Sequence, residues 1–234
     1  MVHDQIVHII VPVKDSIEST RQTLRAILDS GYTLTVYDDY SSPENAQTLD
    51  ALAAEWGFAV IHLSALTDHP SPNYRTTLID AQAKALAEGK HLVIIESDVV
   101  VRQDTIAKML QAVNDGVGMV AAVTHNDRGE VNFPYEYARK LTADSACTKR
   151  LSFCCTLLTC NFLKAYDFRQ LDPEKNWYDV HISHMAVKLG FTNILQVTNP
   201  VLHTPHSSRP WKQLKYSNPL LYYWRKLTQH KDKI

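Results

Sequence analysis

Glycine is scarce in this chain of 234 residues: there are 7, and none belongs to a G-x-G-x-x-G turn or a G-x-x-x-x-G-K-[ST] loop. Phosphates are therefore not cradled by glycine-rich backbone, which sets aside the dinucleotide and P-loop folds. Charge of one sign is also lacking. Twenty-four Lys and Arg stand against 25 Asp and Glu, a net charge of −1, so no global basic field exists to hold a nucleic-acid backbone, and nucleic acid is not an expected partner. No stretch approaches the ~18 consecutive apolar residues that span a bilayer. The apolar start at residues 6–13 leads straight into a charged segment and reads as a first strand rather than a signal peptide. Cysteines number four, Cys147, Cys154, Cys155 and Cys160. Their spacing matches neither paired C-x-x-C zinc knuckles nor a secreted disulfide framework, so they read as reduced, mostly buried thiols of a cytoplasmic protein.

What is present is an ordinary globular composition, 45% apolar and 21% charged, with enough chain for one sizeable core. The first half alternates strand and helix. Strands are predicted at 6–13, 34–37, 58–63, 91–95 and 118–124, with helices at 15–29, 43–56, 74–87 and 104–113 between them. The first helix has Asp15 as its expected N-cap, with Glu18 three residues on. Near-continuous apolar strands joined by short connections predict an α/β fold, a mostly parallel central sheet with helices on both faces. Beyond Thr124 the pattern loosens into a polar stretch to Arg150, an apolar segment at 151–159, a helix at 178–189 and a short strand at 194–197. One domain over residues 1–209 is expected, followed by an aromatic and basic tail over 210–234.

Ligands of an open parallel sheet bind beyond the carboxyl ends of its strands, so the residues following each strand matter most. Strand one ends in Pro12-Val-Lys-Asp15, strand two in Asp38-Asp39-Tyr-Ser-Ser42, and the most apolar strand in Glu96-Ser-Asp98. Three acidic clusters on one edge are electrostatically costly unless a cation or hydrogen-bond donors from a ligand offset them. A hard cation held by carboxylate oxygens would also neutralise a diphosphate, a role that suits Asp98.

Taken in order, Ile10-Val-Pro-Val-Lys-Asp15, Asp38-Asp39-Tyr-Ser-Ser42, Asn73-Tyr-Arg75, Glu96-Ser-Asp98-Val and Trp177-Tyr-Asp179 resemble a family-two glycosyltransferase of the GT-A fold, over residues 6–209. The resemblance implies that Pro12, Val13, Asp15, Asp38 and Asp39 hold the nucleotide base and ribose, with Asn73 and Arg75 near base or phosphate. It implies that Glu96-Ser97-Asp98 is the D-x-D motif, whose last acid holds Mn²⁺ or Mg²⁺, that His203 completes the metal site, and that Asp179 is the general base. Two positions depart from the family pattern: Tyr40 replaces the usual glycine, and Glu96 is one methylene longer than the usual Asp.

Each residue also has a plainer reading. Asp38 and Asp39 are common helix-capping residues after a strand, Asp98 can be a loop acid, and Asp179 suits a first helical turn by the macrodipole alone. His206 and Arg209 read as structural or surface residues, and Cys154-Cys155 as part of a buried strand. The expected activity is metal-dependent, inverting transfer of a sugar from a nucleoside-diphosphate sugar to the hydroxyl of a glycan or lipid-linked glycan. The alternative is a noncatalytic nucleotide-sugar-binding subunit of a glycan-assembly complex. A phosphoacceptor receiver domain is disfavoured, since its acid pair follows the first strand, where this chain has Pro12-Val13-Lys14. The tail interleaves aromatics with bases and suits a peripheral membrane contact or packing on the body, although Pro219 is expected to break its longest helix.

Overall fold

The structure, a computed structural model, describes residues 6–175, 177–204 and 218–228. Strand β1 (Val7–Val13) shows why the chain builds a sheet covered on both sides. Its Val7, Ile9, Val11 and Val13 enter one apolar cluster and Ile10 another, the period-2 alternation of a strand buried on both faces. Strand β4 (His91–Ile95) repeats this, with Val93 and Ile95 in the first cluster and Leu92 and Ile94 in the second.

Helices α1 (Ile17–Asp29), α2 (Pro43–Trp56) and α4 (Thr105–Gln111) close the first face through Leu24, Ile27, Leu49, Leu52, Ile106 and Met109. Helices α3 (Tyr74–Ala87), α5 (Cys160–Ala165) and α6 (Tyr178–Lys188) close the second through Leu78, Phe162 and Ile182. Each such side chain contributes about 1.5–3 kcal/mol on full burial, so these two layers dominate the stability of the sandwich. Gly118 lets α6 approach the sheet closely: a Cβ there would lie 2.8 Å from Phe191 Cβ and 3.2 Å from Ala186 Cβ.

The remaining strands are β2 (Thr35–Asp38), β3 (Ala59–His62), β5 (Val99–Val100), β6 (Val117–His125), β7 (Ser145–Ala146), β8 (Cys155–Leu158) and β9 (Thr192–His203). They form one nine-stranded sheet in the order β3-β2-β1-β4-β8-β6-β9-β5, with β7 also on β9. β3, β2, β1 and β4 run parallel, as does the β6–β9 pair, while β8 lies antiparallel between β4 and β6.

Several local expectations need correction. Asp15 does not cap α1: it sits at φ 55°, the N-cap is Ser16, and no side-chain cap bond forms. The segment at 194–197 is the middle of a twelve-residue strand, β9, which continues to His203 through Pro200. Pro200 is accommodated where the β6–β9 register shifts, between Ala122 and Thr124. Pro219 opens a helix, α7 (Pro219–Thr228), instead of breaking one; a proline in the first turn forfeits no intrahelical bond. His206, Arg209 and the expected boundary at 209 lie outside the described residues. Among the described residues no helix is long and apolar enough to cross a membrane.

Candidate active site

From β1 the chain moves outward through β2 to β3, then returns to the other flank of β1 as β4. Such a reversal of strand order opens a crevice beyond the carboxyl ends of the two central strands. Lys14 and Asp15 follow β1 there, and Glu96, Ser97 and Asp98 follow β4. Because β8 is antiparallel to β4 with Cys155 opposite Ile95, Cys154 arrives at the same edge, and its carbonyl accepts the Glu96 N–H at 3.0 Å. β9 ends at His203, opposite Val99. The last strand thereby sets His203 beside Asp98, 105 residues earlier in sequence.

His203 is 3% and Asp98 8% exposed, and His203 Nε2 stands 3.5 Å from Asp98 Oδ2. The other ring nitrogen, Nδ1, lies 2.8 Å from the Phe133 carbonyl. A carbonyl oxygen can only accept a hydrogen bond, so Nδ1 is the donor that carries the hydrogen, and Nε2 faces Asp98. Burial disfavours the imidazolium, but the Asp98 hydrogen bond and charge, with Glu96 behind, outweigh it and raise the His203 pKa above its usual value. The Glu96 carboxyl is pushed up to about 7, chiefly by burial and then by the Asp98 charge, with Asp179 acting in the same direction. The Cys154 thiol donates to Glu96 Oε2 at 3.3 Å, and burial drives its pKa far upward.

Asp179 occupies the first turn of α6, where the helix N-terminus favours an anion. Its charge acts on Glu96 and on the Tyr74 hydroxyl, so α6 and α3 both present polar groups to the β4 edge. The Tyr74 ring stacks on Phe153 with centroids 6.2 Å apart. Its hydroxyl is buried without a hydrogen-bond partner among the described residues, and burial raises its pKa well above the usual value.

The paired acids after β2 are bonded within the protein. Asp38 Oδ2 lies 2.8 Å from His62 Nδ1, whose Nε2 lies 2.9 Å from Asp50, and Asp38 Oδ1 accepts the Ser41 N–H at 3.2 Å. The hydrogen bond to Asp38 is the main reason that the His62 pKa is raised above its usual value. Asp39 accepts from Ser71 Oγ (2.7 Å), the Asn73 N–H (2.9 Å) and Asn73 Nδ2 (2.9 Å). Arg75 donates from Nε to the Leu171 carbonyl and from one Nη to that of Arg169, both at 2.7 Å. Asp15 Oδ1 accepts from the Ser42 N–H (2.6 Å) and Asn45 Nδ2 (3.1 Å), and the Ser42 bond leads in holding its carboxyl below the usual range. Pro12 and Val13 end β1, in register with Tyr37 and Asp38.

Two groupings result: Glu96, Asp98, His203 and Asp179 converge at the β4 edge, while Asp38, Asp39, Asn73 and Asp15 brace the loops after β1 and β2. Sequence reasoning misses Cys154, Tyr74 and His62. For Tyr74 a signal existed, its place inside the Asn73-Tyr-Arg75 motif. For Cys154 there was none, because the pairing of β8 with β4 is not written in either strand.

A mostly parallel mixed sheet covered by helices on both faces matches the structures of GT-A glycosyltransferases. The chain belongs to glycosyl transferase family 2, whose model, described as "Glycosyl transferase family 2", matches residues 8–157. The mannosyltransferase PcManGT from Pyrobaculum calidifontis, solved with GDP-Man and Mn²⁺, is 13% identical at a TM-score of 0.63, over 95% of this chain and 64% of that one. TarS residues 1–349 from S. aureus give 15% identity and a TM-score of 0.66, over 95% of this chain and 66% of that one. GalNAc-T7, solved with UDP, GalNAc and Mn²⁺, gives 11% and 0.63, over 87% of this chain and 44% of that one. The chain thus spans less than two thirds of the length of these structures. No curated protein sequence matches it.

Proposed function

We propose that this protein is an inverting glycosyltransferase that moves one sugar from a nucleoside-diphosphate donor to the hydroxyl of a glycan or lipid-linked glycan. The observation that carries the reading is the convergence of Asp98, His203, Glu96 and Asp179 at the crevice between β1 and β4. The donor chemistry at Asp98 and His203 fits Mn²⁺ or Mg²⁺: a carboxylate oxygen and an imidazole nitrogen 3.5 Å apart, the ring oriented by the Phe133 carbonyl. When bound, such a cation offsets the charge that grows on the leaving diphosphate.

The remaining steps belong to the protein's own side chains. Pro12, Val13, Asp15, Asp38 and Asp39 form the base and ribose end of the donor site, Asn73 and Arg75 stand beside it, and Glu96 meets the ribose or sugar. Asp179 accepts the proton of the acceptor hydroxyl as its oxygen attacks the anomeric carbon opposite the diphosphate. One displacement inverts the anomeric configuration.

For the acceptor, the relevant feature is α7, which exposes Leu220, Tyr223 and Trp224 at 85%, 54% and 60%. The i, i+3, i+4 spacing puts all three on one helix face, with Arg225 following. Such a face suits a membrane surface carrying a lipid-linked acceptor.

Asp98→Asn tests the metal role. The amide is a poorer ligand for a hard cation, so the variant is expected to stay folded while calorimetry records the loss of the Mn²⁺-dependent part of nucleoside-diphosphate affinity. Unchanged metal-dependent affinity removes Asp98 from the site. Donor hydrolysis with metal separates catalysis from the noncatalytic alternative, since an inert binder releases no sugar.

A further inference from the structure

The two adjacent cysteines have different surroundings. Cys155 Sγ lies 3.9 Å from Met109 Sδ inside the apolar layer. Cys154, only 2% exposed, instead turns its Sγ toward polar partners, Glu96 Oε2 at 3.3 Å and Ser152 Oγ at 3.4 Å. One ligand atom each from Glu96, Cys154 and His203 lies within 4.8 Å of the others, and His203 Nε2 is 3.5 Å from Asp98 Oδ2. A second observation points to the same place. The buried Tyr74 hydroxyl has no hydrogen-bond partner among the described residues, and its electrostatic neighbours are Glu96, Asp179 and Cys154.

We propose that Cys154 is a ligand in the same metal site as Asp98 and His203, and that the site therefore prefers a thiophilic divalent ion, Zn²⁺ foremost, over Mg²⁺. The inference rests on the reading of Asp98 and His203 as metal ligands. Thiolate sulfur is soft and binds Zn²⁺ well, whereas Mg²⁺ seeks oxygen donors in octahedral array. One sulfur, one nitrogen and one carboxylate oxygen, from Cys154, His203 and Glu96, lie within 4.8 Å of one another, and a mixed donor set of this kind is one that Zn²⁺ accepts at bonds of about 2.0–2.3 Å. Binding replaces the S–H bond by an S–metal bond, and the proton leaves to solvent. Cys154 also tethers the ion to β8, in addition to the β4 loop and the end of β9.

Cobalt(II) reports the ligand directly. Added to the metal-free protein, Co²⁺ is expected to give a near-ultraviolet sulfur-to-metal charge-transfer band together with visible ligand-field bands. Cys154→Ser is expected to lose the first and keep the second, and to weaken Zn²⁺ by about tenfold or more with Mg²⁺ affinity unchanged. Cys147→Ser, which alters a thiol bonded near Lys149 and Tyr137, should leave the spectrum intact. The wild-type spectrum decides the matter even if Cys154→Ser does not fold. Ligand-field bands without charge transfer overturn the inference and leave the proposed metal site standing; no Co²⁺ binding at all removes both.

Discussion

Asp98 and Asp179 are carboxylates at one edge of one sheet, yet their surroundings differ. Asp98 is buried against His203, while Asp179 is half-exposed in the first turn of α6, as the base proposed here would need to be. Asp179→Asn keeps the shape and loses the basic lone pair. Turnover is expected to fall by about 10²- to 10⁴-fold with donor affinity nearly unchanged. Transfer rate and donor dissociation constant measured on the same variant decide it, for near-normal turnover excludes Asp179 as the base and collapsed affinity moves it to the binding site. His62 supports a prediction in pH. Its folded-state pKa is raised, first by Asp38, above the 6.5 of an unperturbed ring. The resulting stability is fully present below pH 6.5 and is lost as pH rises through the folded value. In urea unfolding, His62→Gln should cost most at about pH 6 and less at about pH 9; equal costs would mean that the protonated ring contributes nothing. The places of Asp38, Asp39 and Asp98 were legible because these acids follow predicted strands, and that of Asp179 because it opens a predicted helix. His62 was not, since a lone histidine at a strand end has no pattern, and its role follows from the β2–β3 register that brings it opposite Asp38.

Among the elements, those with strong local punctuation were readable to the residue. α2 has Ser42 accepting the Asn45 N–H at 3.3 Å, Pro43 in its first turn and Gly57 at φ 78° after its last, so chain chemistry alone marks both ends. α5 was hidden because its six residues follow directly on β8 and share its apolar character. β9 was cut short because Asn199 and Pro200 look like a strand terminator, whereas the bulge beside β6 absorbs them. For α7, a chain ending at Arg209 is expected to lose sedimentation with anionic vesicles at low salt and to keep its affinity for the donor. Tyr222, 7% exposed on α7, offers the competing outcome. Loss of soluble, folded protein on truncation would show that the helix serves the core.

For the molecule as a whole, alternation of apolar strands and amphipathic helices sufficed to read a two-faced α/β sandwich, but not the sheet order. The insertion of β8 and β9 among earlier strands depends on pairings dozens of residues apart, which no local pattern records. If the crevice is a donor site, a matching nucleoside diphosphate with Mn²⁺ at ~100 times its dissociation constant should stabilise the native state by about 2.7 kcal/mol. For a chain of this size that is a rise of roughly 5–10 °C in the melting temperature, read by differential scanning fluorimetry; no shift with any nucleobase would count against the reading. The position of β9 also bears on how the protein is made. It lies between β6 and β5 and carries His203 at its end. Until residue 203 has left the ribosome, β6 remains an open strand edge able to pair with other chains, and β5 lacks its neighbour. The metal site proposed here would stay one imidazole short for just as long, so the nascent chain could settle most of its core before that site is complete.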